Sequence, residues 1–331
     1  MAIYAVGGEA DCYEPVSGQT FVFDTTGGRF DANACRGGQK ILQGTSEIEL
    51  FFPGGNQTEI WVHMNLYIEA LANADGYLVF QQADGDDVYR LNLNADGSIE
   101  FDFWSGAAWV NLATSAAAAV AATTLFDLDF HILDDGTTGT IDIYVDGVSV
   151  LTFGPGDTRG DNTGVGRILF SGTTGGTNEF VVSQVIVASE STIGWKLATN
   201  HATGNGANTA WDGDYTDIDE ADLDTGNFIQ TDVVDEVETF TNQNINAAYS
   251  TYSVKAVVVA ARANNDVASS IGDIQAALRL SGVNYFSTDL SLPQDSADHS
   301  VQAIFETNPD TTDPWTQSEV NGAEFGVKSV V

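Results

Sequence analysis

The side chains that could do chemistry in this sequence are mostly carboxylates. The densest run is Asp212, Asp214, Asp217, Asp219, Glu220, Asp222 and Asp224, and a shorter one is Asp84, Asp86 and Asp87. Hard cations such as Ca2+ take roughly six to eight oxygens from loops of this kind. Asp84, Asp86, Asp87, Asp212 and Asp214 are therefore the candidate metal ligands. The EF-hand order is not met, because Asp212-Gly213-Asp214 puts its glycine in the wrong place, and a solvated acidic loop is the plainer reading at both sites. Glu47 and Glu49 share a strand face, as the paired carboxyls of retaining glycoside hydrolysis must. Leu50, Phe51 and Phe52 follow where a third acid is required, so no catalytic residue is assigned. His63, His131, His201 and His299 are scattered, and neither a Gly-x-Ser-x-Gly elbow nor a phosphate loop is present. Trp104 and Trp109 flank Ser105-Gly106-Ala107-Ala108, which reads as a hairpin tip. Exposed there, they stack on sugar rings while neighbouring Asp or Asn accept hydroxyl hydrogen bonds; turned inward, they are core.

The composition narrows the partners. The chain of 331 residues carries 47 acidic and 11 basic side chains, a formal charge of −36. Residues 1–192 hold 26 acidic and 6 basic groups (−20), and residues 193–331 hold 21 and 5 (−16), so no single tail carries the charge. Such a surface repels nucleic-acid phosphates and anionic membranes, and it tolerates high ionic strength, where screening is short-ranged. No stretch approaches the ~20 apolar residues of a membrane span, and Met1–Glu9 lacks the basic and apolar regions of a secretory leader. Cys12 and Cys35 make neither a disulfide framework nor a zinc cluster; the sequence favours free buried thiols over a bridge between them.

Strand-like runs recur along the chain, many of them alternating: Thr20–Phe23, Ile48–Phe52, Ile60–Ile68, Tyr77–Gln81, Val88–Leu93, Ile99–Trp104, Phe126–Leu133, Thr140–Val145, Val148–Phe153, Val165–Phe170 and Phe180–Ala188. In one of them Val62, Met64, Leu66 and Ile68 share a face, while Trp61, His63, Asn65, Tyr67 and Glu69 share the other, as in a sheet with one buried side. Turns at Ala74-Asp75-Gly76, Ala83–Asp86, Ala95-Asp96-Gly97, Asp134-Asp135-Gly136 and Asp146-Gly147 separate the runs. Ala113–Ala122 reads as a loop or one short helix. Further strands, at Phe228-Ile229, Val237–Phe240, Asn284–Ser287 and Val301–Phe305, belong to a second unit, in which Tyr252–Ala260 and Ser270–Leu280 read as strands or as a strand and a short helix. The expectation is an all-β protein of two antiparallel β-sandwich, jelly-roll-like domains, residues 1–192 and 193–331.

Two resemblances sharpen this. Gly139-Thr140-Ile141-Asp142-Ile143-Tyr144-Val145-Asp146-Gly147, with the Gly85–Asn94 hairpin and the Asp96–Ile99 turn, resembles the concanavalin A and laminin-G jelly rolls over roughly residues 1–190. That likeness implies a lectin-like scaffold, in some relatives with Ca2+ at the rim. The ending, from Asn308-Pro309 through Asp313-Pro314-Trp315-Thr316 to Val320-Asn321 and Glu324-Phe325-Gly326-Val327-Lys328, resembles that of a group of tailed-phage virion proteins, as does the junction Phe180–Trp195. It implies a non-enzymatic structural component of a phage particle: a capsid decoration, head fibre or tail-associated protein, oligomeric and in contact with other virion proteins. The alternative is a carbohydrate-binding adhesin that recognises a host surface glycan. Neither reading requires a cofactor, and Ca2+ is optional in both.

Overall fold

The computed structural model describes residues 2–7, 14–15, 39–42, 47–68, 70–71, 74–160, 162–171, 179–219, 226–266 and 271–331. Cys12, Cys35, the expected strand at Thr20–Phe23, Glu69, and Glu220, Asp222 and Asp224 lie outside these residues. The chain divides into two compact units, residues 1–197 and 198–331. The protein is all-β, and every pairing between described strands is antiparallel. Among the described residues no helix is long and apolar enough to cross a membrane.

The first unit contains β1 (Ile3–Gly7), β2 (Glu14–Pro15), β3 (Gln39–Leu42), β4 (Glu47–Phe51), β5 (Glu59–Ile68), β6 (Ala74–Gln81), β7 (Asp87–Leu93), β8 (Ile99–Trp104), β9 (Trp109–Thr114), β10 (Leu125–Leu133), β11 (Gly139–Val145), β12 (Val148–Gly156), β13 (Arg167–Ser171) and β14 (Glu179–Ala188). One sheet has the order β1-β14-β5-β10-β11-β12, with β3 also on β14; the other has the order β2-β4-β13-β6-β7-β8-β9. Alternation decides which residues meet between them. Ile60, Val62, Met64, Leu66 and Ile68 of the first sheet are buried, as are Phe80, Tyr89, Leu91 and Phe101 of the second. The rings of Phe130 and Phe80 pack edge to face across the interior at 5.5 Å. Aromatic pairs in this geometry add to simple area burial, about 0.5–1.5 kcal/mol each.

The turns are partly as expected. Asp146-Gly147 joins β11 to β12 with both residues at positive φ (50° and 75°), the type I′ geometry that matches strand twist and that glycine adopts without strain. Ala74-Asp75-Gly76, expected as a turn, instead opens β6, with a register shift between Ala74 and Leu78; glycine in a strand marks such irregularities. Ala113–Ala122 forms no helix. Its first residues finish β9, Ala118 sits at φ 59°, and the amides of Ala118 and Val120 bond to the carbonyls of Asp96 and Gly97 (2.8 and 3.0 Å). Helix propensity there yields to these cross-chain bonds and to the burial of Val120.

The outer face of the first sheet is covered in part by its own continuation. Thr192 Oγ1 bonds to Asp129 Oδ1 (3.2 Å) and Lys196 Nζ to Asp127 Oδ2 (2.7 Å), so residues up to 197 stay with the first unit.

The second unit contains β15 (Ala202–Thr209), β16 (Val237–Asn242), β17 (Val257–Asn264), β18 (Asp273–Leu280), β19 (Val283–Phe286), β20 (Leu290–Ser291), β21 (Asp298–Phe305), α1 (Gln317–Gly322) and β22 (Glu324–Val330). A sheet of order β15-β16-β22-β18-β19, with β20 on β18, packs over the two-stranded β17-β21 ribbon. Phe228-Ile229, expected as a strand, is not one, and Phe228 is exposed.

The chain ending closes this second core. Asn308 Oδ1 accepts the Asp310 amide (2.9 Å) and the Asn308 carbonyl accepts that of Thr312 (2.7 Å), which folds the turn. Trp315, 3% exposed, packs with Val257, Leu278, Leu280 and Val320, has Phe325 against the same cluster, and donates its indole N–H to the Phe305 carbonyl (2.8 Å). α1, which the strand reading missed, starts with a capping box between Thr316 and Glu319.

Two outcomes follow. Trp315→Ala should cost the second unit about 3–5 kcal/mol, as other buried aromatic truncations do; a calorimetric change below ~1 kcal/mol contradicts the packing. In the first unit, Tyr89 donates its buried hydroxyl to Asp134 Oδ1 (3.0 Å), and burial pushes the Asp134 carboxyl up to about 6. Because that value is raised above the unfolded ~3.9, the neutral acid stabilises the fold at low pH, and its contribution is lost as pH rises through about 6. Asp134→Asn should remove this slope, at most about 3 kcal/mol between pH 4 and 7. Parallel unfolding curves for the two proteins across that range would contradict it.

Candidate functional site

Alternation sends Tyr89, Leu91, Leu93, Ile99 and Phe101 into the core, so Arg90, Asn92, Glu100, Asp102 and Trp104 must face outward from the second sheet. Register brings these together. Arg90 lies opposite Asp102 and Asn92 opposite Glu100; across the next pair, Asp102 lies opposite Asn111 and Trp104 opposite Trp109.

Asp102 is the centre of the arrangement and is only 2% exposed. Its Oδ2 accepts Arg90 Nε (2.7 Å) and Asn92 Nδ2 (3.0 Å), and its Oδ1 accepts Asn111 Nδ2 (3.1 Å). A carboxylate this far from water costs several kcal/mol unless its lone pairs are filled by such donors. The bond to Nε also aims the guanidinium, which lies over the Trp109 ring at 4.8 Å. Trp109 meets Trp104 edge to face at 5.3 Å, and both are half-buried. Among the described residues, neither indole N–H and neither terminal nitrogen of Arg90 has a protein acceptor.

The same face continues across β6, β13 and β4. Arg167 Nη1 bonds to Glu49 Oε2 (2.8 Å), and its guanidinium lies over Phe51 at 5.4 Å. Gln81 donates to Asp87 (2.9 Å). The Gln81 carboxamide oxygen and Arg167 Nε are buried without a partner among the described residues. Gly85 sits at φ 101°, a backbone conformation that residues with a Cβ rarely adopt, facing the Arg167 guanidinium.

The candidates read from sequence divide accordingly. Trp104 and Trp109 are brought together on this face. Asp84, Asp86 and Asp87 stand at the start of β7, beside the end of β8 that carries Trp104, but Asp84 is turned onto the Asp86 amide (3.3 Å) and Asp87 onto Gln81. Asp212 and Asp214 belong to the second unit. Asp214 caps the short helical turn Tyr215–Asp217, and its bonds from the Thr216 hydroxyl and amide hold its carboxyl below the usual range. Among the described residues no three His, Cys, Asp or Glu side chains gather as a cation site. Glu49 is taken up by Arg167, and the Glu47 side chain lies outside the described set.

The sequence reading passed over Arg90, Asn92, Asp102 and Asn111. Their signal was the alternation of polar residues at 90, 92, 100 and 102, leading to the two tryptophans. It also passed over a second grouping on the outer face of the other sheet. There Trp61 stacks on His131 at 4.4 Å, and fully buried His63 bonds to Asp129 through Nδ1 (3.0 Å).

No protein-family model matches the sequence, and no curated protein does. Among solved structures, the chain is similar to one of botulinum neurotoxin type C, whose cell entry is dependent upon interaction with two ganglioside molecules (7% identity, 99% of this chain and 98% of that one, TM-score 0.43). It is also similar to a Bacillus subtilis protein of unknown function with a galectin-like fold (12%, 57% and 95%, 0.39) and to a sialidase, of which it spans 15% (15% identity, 46% of this chain, 0.33). Likenesses this distant transfer no residue roles and no ligand.

Removing the Asp102 carboxylate takes away the acceptor that Arg90, Asn92 and Asn111 share and leaves Arg90 Nε without it. Asp102→Ala should therefore destabilise the first unit by about 3 kcal/mol, whereas Asp84→Ala, at the exposed loop, should change it by no more than ~0.5 kcal/mol. Equal melting shifts for the two variants would show that Asp102 does not organise the face.

Proposed function

We propose that this protein binds carbohydrate on the outer face of the second sheet of its first unit, with Trp104 and Trp109 as the stacking surface. The observation that carries this reading is the half-exposed tryptophan pair, in which Trp109 lies under a guanidinium that buried Asp102 aims and Trp104 meets it edge to face. Sugar rings present apolar C–H faces to indoles and hydroxyls to fixed polar groups. Few such groups are needed, provided that they cannot move. Asn92, Asn111 and Arg90 are fixed by one carboxylate. The reading is one of binding rather than turnover, since the carboxylates best placed on this face, Asp102 and Glu49, already serve arginines.

The phage-like ending supports display of this binding face on a virion as a host-recognition adhesin. That part of the proposal is separable, and mass spectrometry of purified particles tests it.

The binding claim is tested with the full chain by calorimetry against host surface polysaccharides, with and without a chelator. Trp109→Ala should weaken binding by about tenfold or more, since stacking on one aromatic face is worth roughly 1–3 kcal/mol. Trp61→Ala, on the other sheet, should leave binding unchanged, and chelation should have no effect. Binding that survives Trp109→Ala but not Trp61→Ala moves the site to the other sheet, and absence of binding to any polysaccharide refutes the proposal.

A further inference from the structure

We infer that the sugar recognised is an acidic one, with its carboxylate received by Arg90. This deepens the carbohydrate-binding reading and rests on it.

The first observation is where the cations are. Residues 1–192 carry only 6 basic side chains against 26 acidic ones. The described arginines of the first unit are Arg90, Arg159 and Arg167, and Lys196 pairs with Asp127 of the first sheet; Arg90 stands on β7 and Arg167 on β13 of the second sheet. Arg90 and Arg167 lie on its outer face. Arg159 precedes Gly160, whose backbone abuts the Trp104 carbonyl and the Phe103 ring. In a unit this acidic, two arginines on the face that carries the two tryptophans offer an anionic ligand its cationic contacts. Register places Arg167 two strands across and two residues along from Arg90. With strands about 4.8 Å apart and about 3.3 Å of rise per residue, the two Cα atoms stand roughly 12 Å apart, a spacing that lets one chain of sugars meet both.

The second observation is how Arg90 is held. Asp102 takes the Nε–H and leaves both terminal nitrogens without a protein acceptor among the described residues. The side chain is 20% exposed, and the Trp109 ring beneath fixes its plane. A guanidinium fixed in this way presents a two-pronged donor that matches the two oxygens of a carboxylate. A hydroxyl offers one oxygen and leaves the second prong unused. Arg167 is the weaker candidate for this role, because its Nη1 is bound to Glu49 and it is less exposed.

The long-range field opposes such a ligand. At physiological salt the repulsion between this protein and a polyanion is screened beyond ~8 Å, whereas the contact between carboxylate and guanidinium acts within that distance. The local pair therefore decides the outcome.

The test uses the full chain with oligomers of guluronate, galacturonate and glucuronate and with polysialic acid, each beside its carboxyl-reduced form, by calorimetry at fixed salt. Binding of at least one acidic probe should weaken about tenfold or more on carboxyl reduction, the scale of a lost hydrogen bond to a charged group. Arg90→Lys should weaken binding of the acidic probe by a similar factor and that of the reduced form by much less. Lysine keeps a positive charge against Asp102 but lacks the fork, so the fold should survive, and an unchanged melting temperature checks this. If the reduced forms bind as tightly as their parents, or if Arg90→Lys binds the acidic probe normally, the acidic-sugar inference falls and the carbohydrate reading stands. If no carbohydrate binds, both fall.

Discussion

The contact of Phe130 with Phe80 and Phe101 across the middle of the first unit sets the side on which every neighbouring residue lies. Once these rings face inward, alternation leaves no freedom: Tyr89 goes in, Arg90 out, Leu91 in, Asn92 out. A slip of one residue in β7 or β8 would bury Arg90 and Asp102 between the sheets and expose the aromatics. The cost of two unpaired charges in the core, several kcal/mol each, forbids it. The outer face that carries Trp104 and Trp109 is thus a consequence of how the core is filled.

Charge is handled differently at two places in this unit. Asp102 is almost out of water, yet three donors fill its oxygens, and it serves to hold Arg90 in one orientation. Asp134 is equally buried but receives the Tyr89 hydroxyl on one oxygen, with Arg159 Nε at 3.7 Å and its other oxygen unpartnered among the described residues. Burial then wins, and the acid is pushed up to about 6. At Asp134 one hydroxyl donor and a distant guanidinium do not offset burial, and the carboxyl is left poised to take up a proton.

Much of the fold was legible because strands write themselves with period two. The β5 face of Val62, Met64, Leu66 and Ile68 and the Asp146-Gly147 hairpin needed nothing beyond local pattern. The Ala74-Asp75-Gly76 segment misled because a dipeptide favoured in turns also serves in an irregular strand, and only the β7 partner decides which. The capping box at Thr316–Glu319 was present in the sequence and signals a helix start, but a short helix inside a strand-rich region carries little periodicity of its own. The tryptophans of the candidate site were visible as aromatics at a hairpin tip. The Arg90–Asp102–Asn111 grouping was not, because it depends on register across three strands, which sequence spacing does not reveal. His63 was hidden for a similar reason: its strand position is outward, and its burial comes with a bond from distant Thr192 to its partner Asp129.

The account stands on Trp104 and Trp109 meeting a sugar under the guanidinium of Arg90. The chain has six tryptophans, so an amide-region NMR titration resolves each indole N–H separately. On addition of a bound oligosaccharide, the Trp104 and Trp109 indole signals and the Arg90 Nε–H signal should shift together, while those of Trp61 and buried Trp315 stay in place. Movement of the Trp61 signal with Trp104 and Trp109 unchanged would contradict the account.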